Sequence, residues 1–130
     1  ALHVGDISFD DFKTMLSSEN IDEQNFLVCR GCMPVTWLKI SGLLGNNTAW
    51  ISMLVVNDKY HHQGLGTFAV NFAEKYVVER GFKRIGIKAS EDNVIAQKLC
   101  EKCGFSFKEQ CERLYGDGIE RIEYTMIKDL

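Results

Sequence analysis

Two glycines separated by one residue, Gly64 and Gly66, precede a stretch with helical periodicity, and Thr67 follows them. A helix that starts here presents backbone N–H groups and the positive end of its dipole at one point. Glycines let an anion approach the backbone, and the threonine hydroxyl adds a donor, so this turn favours phosphate binding. The alternative is a tight strand-to-helix turn that binds no ligand.

The order of residues around the turn decides which of the known phosphate-binding motifs it matches. A mononucleotide P-loop is excluded, because no lysine follows the second glycine. The letters from Gly64 to Ala69 do satisfy the dinucleotide pattern G-x-G-x-x-A. However, residues 57–63 separate the turn from the preceding apolar run, and Lys83 and Arg84 stand where that motif needs an acidic residue. The dinucleotide match is therefore weak.

The elements that would position the turn follow from hydrophobic periodicity and from glycine and asparagine cap signals. In chain order the predicted elements are a helix at 7–16, a β-hairpin at 26–29 and 35–40, a strand at 49–56 that is apolar on both faces, a helix from the turn to Gly81, a strand at 84–90, a helix from Asp92 or Asn93 to Gly104, and strands at 105–114 and 119–127. This order predicts an α/β fold, a mixed central sheet with helices on both faces.

A second motif follows the turn along the chain. Asn93, Ala96 and Cys100 are spaced before Gly104 and Phe105 as N-x-x-A-x-x-x-C-x-x-x-G-F. Together with the glycine turn, this stretch resembles the GNAT superfamily of N-acetyltransferases. Its patterns are (Q or R)-x-x-G-x-(G or A) at the pyrophosphate turn and N-x-x-A-x-x-x-Y-x-x-x-G-F in the following helix. The resemblance covers residues 49–105 and implies the GNAT acyl-CoA N-acyltransferase fold.

The resemblance implies direct transfer of an acetyl group from acetyl-CoA to a primary amine in a ternary complex. Acetyl-CoA would be the cosubstrate and would lie in a split between the strands at 49–56 and 84–90. The acceptor would be a small-molecule or protein amine, and a homodimer is implied by resemblance alone. The cofactor-binding residues so implied are Leu54, Val55, Val56, His61, His62, Gln63, Gly64, Leu65, Gly66, Thr67, Asn93 and Ala96.

Two departures from the family pattern bear on the chemistry. His61 stands where the family usually has Arg or Gln, and Cys100 stands where it usually has the tyrosine that protonates the departing thiolate. Cys100 could act as a weak acid or fill the space of the missing ring. The reaction also needs a base, for which Glu91 is a candidate, although a solvated loop carboxylate or water are alternatives. A non-catalytic acyl-CoA-binding module that has lost the tyrosine is the alternative function.

Composition limits the remaining function classes. The chain has 130 residues, a formal net charge of -3 and 45% hydrophobic residues, which predicts one domain over residues 1–130. The resemblance implies that this single domain is an N-acetyltransferase domain. The acidic balance argues against a nucleic-acid or membrane partner. Without an export signal, the odd number of cysteines favours reduced thiols and a cytoplasmic location.

Cysteine pairs with the spacing of a zinc site occur twice. Cys29 and Cys32 form one C-x-x-C pair, and Cys100 and Cys103 form the other. The long separation between the pairs and the placement of Cys103 on an apolar helical stripe favour core cysteines, so no metal is expected. A small zinc-stabilised interaction domain is the third hypothesis.

Overall fold

The computed structural model describes residues 3–4, 7–8, 12–14, 22–30, 33–45, 47–57 and 64–130. The elements, in chain order, are β1 (His3–Val4), β2 (Ile7–Ser8), β3 (Phe12–Thr14), β4 (Gln24–Arg30), β5 (Met33–Ser41), β6 (Thr48–Val56), α1 (Leu65–Glu79), β7 (Arg84–Ser90), α2 (Val94–Lys102), β8 (Ser106–Leu114) and β9 (Glu120–Asp129). Neither helix in the described ranges combines the length and apolar character needed to cross a bilayer.

Seven strands form one mixed sheet in the order β3-β4-β5-β6-β7-β9-β8. Only β6 and β7 pair in parallel, and α1 makes the connection between them. All the other neighbours in the sheet are antiparallel. The predicted mixed α/β sheet is confirmed, and the predicted strands from β4 to β9 are all present.

Local capping signals define the ends of both helices. Gly81, at φ 90°, follows the last turn of α1 as the left-handed residue that such an end favours. The Asn93 side chain caps α2 by accepting a hydrogen bond from the backbone N–H of Ala96 at 3.1 Å. Gly104, at φ 93°, follows the C-cap of α2. These glycine and asparagine signals therefore set the helix lengths that the sequence predicts.

Both described helices pack on the same face of the sheet, whereas the sequence predicted helices on both faces. Lys128 of β9 demonstrates this arrangement, because its ammonium donates to Glu74 of α1 at 2.9 Å and to the carbonyl of Cys103 at the end of α2 at 2.8 Å. A core cluster between this helix-covered face and the helices includes Leu38, Ile51, Val70, Ile85 and Cys100. We call the opposite surface of the sheet the far face. It carries Trp50, Ser52, Lys88 and Glu123, and neither described helix packs on it.

The predicted helix at residues 7–16 is wrong. The described residues of this range form β2 (Ile7–Ser8) and β3 (Phe12–Thr14), and β3 pairs antiparallel with β4. An isolated short helix has little stability of its own, whereas the edge of β4 offers backbone partners to a segment rich in aromatic and β-branched residues.

The prediction that the strand at 49–56 is covered on both faces is also wrong for the described part of the chain. Ala49 and Ile51 are buried, but Ser52 and Val55 are exposed. The cause is that both exposed side chains lie on the far face, on which neither described helix packs.

Candidate active site

The sheet splits where β6 and β7 separate. Their parallel pairing begins at Thr48 with Arg84 and ends at Ile51 with Ile87, while both strands continue. The register between β5 and β6 also shifts between Lys39 and Ile40, which leaves Ser52 as the extra residue of a bulge. Beyond Ile51, no strand of the described residues pairs with the edge of β6 that faces β7. The backbone at Leu54 and Val55 can therefore pair with an extended ligand.

A cavity of about 590 Å³ occupies this split on the helix-covered face, and we call it the helix-side cavity. It is lined by Ile51, Ser52, Met53, Leu54, Val56, Gly64, Leu65, Gly66, Thr67, Ile87, Lys88, Ala89, Asn93, Ile95, Ala96, Leu99 and Lys102. Its volume and its mostly apolar walls are those of a small-molecule site. Lys88 and Lys102 are the two charged residues of its lining, and both are positive.

The start of α1 forms the polar end of the helix-side cavity. Gly64 is the N-cap at φ 77° and ψ 11°, a left-handed conformation, and no side chain caps the helix. The first N–H groups of a helix have no partner within the helix, and here the residues that carry them, Gly64 to Thr67, line the cavity. This arrangement suits an anion, because both the N–H groups and the helix dipole favour negative charge.

Gly66 has a packing role in addition to this. A Cβ atom added at Gly66 would lie 3.0 Å from a methyl carbon of Leu99, so a side chain here would press on α2. Both residues line the helix-side cavity. The glycine therefore lets α1 and α2 approach each other at the cavity wall.

A second cavity, of about 600 Å³, lies on the far face, and we call it the far-side cavity. It is lined by Ser41, Trp50, Ile51, Ser52, Lys88, Ala89, Ser90, Asn93, Arg113, Leu114, Tyr115, Gly116 and Glu123. Five of these residues, Ile51, Ser52, Lys88, Ala89 and Asn93, also line the helix-side cavity. The two cavities therefore meet through the sheet at the split between β6 and β7.

A hydrogen-bonded group of polar side chains surrounds Glu123 in the far-side cavity. Glu123 is only 4% exposed, and its carboxylate accepts hydrogen bonds from Arg113 at 3.0 Å and from the Tyr115 hydroxyl at 3.1 Å. Burial and the bond to Glu123 raise the pKa of the Tyr115 phenol, while Arg113 and a hydrogen bond with Ser90 oppose this rise. The phenol therefore stays protonated at neutral pH and can donate to Glu123.

Lys88, on β7, also lines the far-side cavity. Its ammonium is 5.3 Å from the centre of the Trp50 ring, within the range of a cation–π contact. Among the ion pairs recorded for the described residues, none includes Lys88. Lys88 thus brings a positive charge to the junction of the two cavities without a carboxylate to balance it.

The structure separates the sequence-predicted site residues into three groups. Those that line the helix-side cavity are Leu54, Val56, Gly64, Leu65, Gly66, Thr67, Asn93 and Ala96. Val55 belongs to the same strand, but its side chain is 51% exposed and outside the lining. His61, His62 and Gln63 lie outside the described residues.

The two candidate catalytic residues line neither cavity. Glu91 is exposed in the turn after β7, where its carboxylate accepts a hydrogen bond from the backbone N–H of Ile122 at 3.2 Å. Cys100 is fully buried in the core cluster, and burial raises the pKa of its thiol to about 12.

Sequence reasoning missed the residues of the far-side cavity. Lys88 lies on β7, Arg113 on β8 and Tyr115 in the turn after β8. Glu123 lies on β9 at a position where strand alternation predicts a side chain exposed to solvent. The strand alternation of Tyr124 and Met126 toward the helices was the one signal that placed Glu123 on the other face. No signal indicated that it would be buried there.

The cysteines of the two C-x-x-C pairs are the metal ligands that the sequence offers. Within the described ranges, no group of three or more His, Cys, Asp or Glu residues could hold a metal ion. Cys32 lies outside these ranges, and Cys103 packs against the core cluster.

The sequence matches the model of the family described as "Acetyltransferase (GNAT) family" over residues 18–105, more than half of the chain. The match includes the glycine turn and the Asn93–Phe105 motif, and hence most of the helix-side cavity. No curated protein resembles the sequence closely enough to count as a match.

Solved structures share the fold at low sequence identity. A GNAT family acetyltransferase from Elizabethkingia anophelis, solved with acetyl-CoA bound, is 12% identical with a TM-score of 0.75, over 93% of this chain and 99% of that one. A GNAT acetyltransferase from Streptococcus pneumoniae is 16% identical with a TM-score of 0.70, over 86% and 70%. A mutant of the spermidine N-acetyltransferase from Vibrio cholerae is 17% identical with a TM-score of 0.73, over 84% and 66%.

Proposed function

Because the chain belongs to the acetyltransferase (GNAT) family, we propose that it transfers an acetyl group from acetyl-CoA to a primary amine while both substrates are bound. One observation carries this proposal: the helix-side cavity and the far-side cavity meet at the split between β6 and β7. A thioester that enters from one face and an amine that enters from the other would meet there without a covalent enzyme intermediate.

The helix-side cavity fits acetyl-CoA, which supplies the acetyl group as an activated thioester. On the side that faces β7, the edge of β6 at Leu54 and Val55 can pair with an extended amide-containing arm, and Val56 continues this strand along the helix-side cavity. The uncapped N–H groups from Gly64 to Thr67 can hold a diphosphate, and Lys88 and Lys102 add positive charge to the lining. Asn93 and Ala96 form the wall contributed by α2.

We assign His61, His62 and Gln63 to the same diphosphate site. Their assignment rests on the family pattern, in which the residues before the first glycine belong to the pyrophosphate turn.

The far-side cavity would hold the amine and receive its proton. In the transfer step the amine nitrogen forms a C–N bond with the acetyl carbon, the C–S bond breaks, and its electron pair leaves on the CoA sulfur. The proton that the amine gives up passes to Glu123, directly or through Tyr115 or water. A backbone N–H of the free β6 edge would stabilise the developing oxyanion.

Glu91 and Cys100 are the alternatives for proton transfer. Cys100 is a poor donor to the departing thiolate, because its pKa of about 12 lies above the value of about 8.5 for an ordinary thiol. Glu91 would need to leave its hydrogen bond with the Ile122 N–H to reach either cavity.

Calorimetric titration of the purified chain with acetyl-CoA, CoA and NADH tests the first half of the proposal. We expect micromolar binding of acetyl-CoA and CoA and no binding of NADH. A folded sample that binds no acetyl-CoA would contradict the assignment of the helix-side cavity.

Release of free CoA tests the second half. We expect acetyl-CoA to be consumed with an amine from a panel that includes amino acids, diamines and peptides. Binding of acetyl-CoA without CoA release across the whole panel would instead favour the non-catalytic acyl-CoA-binding module.

Two properties of the whole protein complete the proposal. Every residue of β8 is exposed and the strand lies at the edge of the sheet, which supports a homodimer that pairs through the C-terminal strands. Sedimentation velocity across a concentration series would detect it. The location we propose is cytoplasmic, where acetyl-CoA is available and free thiols stay reduced.

A further inference from the structure

The charges of the far-side cavity distinguish between classes of amine. Its lining contains three charged residues, which are Lys88, Arg113 and Glu123. Two are cations and one is an anion, so the cavity carries one positive charge in excess. A polyamine or another polycation would be repelled by this balance, whereas an amine that also carries one negative group would be attracted.

The positions of the three groups show which charges are available to a ligand. Glu123 is 4% exposed and already accepts hydrogen bonds from Arg113 and Tyr115. The Arg113 side chain is 59% exposed and uses one of its guanidinium nitrogens for Glu123, so it keeps further donors. Lys88 contacts the Trp50 ring and is in none of the ion pairs recorded for the described residues.

Charged residues just outside the cavity are engaged with groups other than its lining. Arg121 is paired with Asp92 at 2.8 Å and with Asp117 at 2.6 Å. The Glu91 carboxylate accepts a hydrogen bond from the backbone N–H of Ile122. These four residues sum to two negative charges, so the positive charge in excess belongs to the lining alone, and a ligand with a single negative charge matches the lining.

From this arrangement we infer that the acceptor is an amine that carries one carboxylate, as free amino acids do, and that Lys88 and Arg113 bind this carboxylate. The inference rests on the proposed function and adds the substrate class to it. A planar guanidinium beside an ammonium is suited to a carboxylate. A phosphate monoester carries a second negative charge that the cavity would leave without a partner.

The experiment compares amines that differ in their acidic group, with spermidine as a polyamine without one. At saturating acetyl-CoA, CoA release is measured with amino acids, their carboxamides, taurine, phosphoethanolamine and spermidine. The carboxamide has the more reactive amine at neutral pH, because its nitrogen lacks a neighbouring carboxylate that stabilises the ammonium form. A preference for the acid must therefore come from the protein, and we expect kcat/KM to favour the best amino acid over its amide at least tenfold.

Variants at Lys88 test the origin of that preference. We expect Lys88→Gln to lower the acid-to-amide ratio of kcat/KM about tenfold, and Lys88→Glu to reverse it in favour of the amide or of spermidine. Comparing two amines in the same variant removes any effect that Lys88 has on acetyl-CoA in the adjoining cavity. Lys98→Gln is the matched control, because Lys98 is exposed on α2 and lines neither cavity, and its ratio should not change.

A binding measurement separates failure of this inference from failure of the proposed function. The CoA-bound protein is titrated with N-acetyl amino acids, the expected products, and with their amides. Binding of the acids but not of the amides would support the inference even if no amine is turned over. Faster turnover of spermidine than of any amino acid would overturn it while leaving the transferase activity in place. Absence of acid binding to the CoA-bound protein would overturn it as well.

Discussion

The two cavities lie back to back on one sheet but are built from different kinds of groups. The helix-side cavity is formed by the free backbone edge of β6, the uncapped start of α1 and apolar side chains of α2. The far-side cavity is formed by charged, aromatic and hydroxyl side chains that come from five strands and the turn after β8. The helix-side cavity uses main-chain donors and the absence of side chains at its glycines. The far-side cavity uses side chains that strand register brings together.

This difference bears on what each cavity can select. Backbone N–H groups at a helix start recognise a phosphate whatever the neighbouring residues are, so the helix-side cavity suits one common donor. Side chains on a sheet surface can change without disturbing the strands that carry them, so the far-side cavity can be adapted to a particular acceptor. Substitutions should therefore affect acetyl-CoA binding and amine chemistry separately.

We expect Glu123→Gln to show the largest difference between its effect on amine chemistry and its effect on acetyl-CoA binding. The amide keeps the size of the side chain and can still accept a bond from Tyr115, but it cannot take the amine proton. We expect kcat to fall about 100-fold, with the affinity for acetyl-CoA unchanged. Steady-state kinetics and calorimetry measure the two quantities.

Glu91→Gln is the comparison for this variant, because Glu91 is an exposed carboxylate in a turn outside both cavities. We expect no comparable loss of kcat from it. Equal losses of kcat in the two variants, or a loss in Glu91→Gln alone, would indicate that Glu91 acts as the base.

A Gly86→Ala variant should destabilise the far face. A Cβ at Gly86 would lie 2.5 Å from the ring of Trp50, which covers the glycine. We expect the free energy of unfolding in denaturant to fall by about 1–3 kcal/mol, as in other overpacked sites. In a Trp50→Ala background, the additional cost of Gly86→Ala should fall, because the terminal methyl group of Ile127, 2.9 Å from the added Cβ, is then the neighbour that must still move.

Gly116→Ala provides the control for added volume, since a Cβ there meets nothing within 4 Å. Its unfolding free energy should change by less than about 0.5 kcal/mol. If Gly86→Ala lowers the free energy of unfolding as much in the Trp50→Ala background as in the unchanged protein, the Trp50 ring is not the reason why glycine is needed at this position.

On the helix side, Gly66→Trp should weaken acetyl-CoA binding at least tenfold. The new ring would enter the cavity wall beside Leu99 and keep the phosphate from the N–H groups at the start of α1. Val78→Trp adds the same ring to an exposed position of α1 and should leave the affinity unchanged. Calorimetry on folded samples gives both values, and equal affinities for the two variants would argue against the phosphate site.

The smallest effect is expected at Cys100. Removing a fully buried sulfur from the core cluster should lower the unfolding free energy of Cys100→Ala by about 1 kcal/mol. Turnover should persist, because the thiol lies outside both cavities. Loss of turnover in a folded Cys100→Ala protein would give the thiol a chemical role.

Alkylation of the unchanged protein adds a second readout for Cys100. A raised pKa keeps a thiol protonated and unreactive until the pH approaches that value, which is about 12 here. Iodoacetamide at pH 8 should therefore modify exposed Cys111 well before Cys100, as followed by mass spectrometry of peptides.

Much of the fold and of the helix-side cavity could be predicted because the signals are local. Gly64 and Gly66 identify the helix start, Asn93 and Gly104 limit α2, and alternation in β7 places Ile85 and Ile87 toward the helices. These features depend on backbone geometry within a few residues, so their sequence patterns survive without knowledge of the rest of the chain.

Tertiary structure alone decided three other features. The strand at residues 12–14 forms because β4 offers an edge, and residues 7–8 pair with residues 3–4, neither of which a local pattern records. Cys100 occupies the position of a catalytic tyrosine in the motif, yet packing buries its thiol in the core. The far-side cavity exists because register places Ser90 opposite Glu123 and folds the end of β8 back over both.

The physical reason is the range over which each interaction acts. Helix starts, caps and strand alternation are set by neighbours in the chain, so the sequence by itself determined the fold class and the glycine turn at the start of α1. The group of Lys88, Arg113, Tyr115 and Glu123 joins residues up to 35 positions apart, and only the register of β7, β8 and β9 determines that they share one cavity.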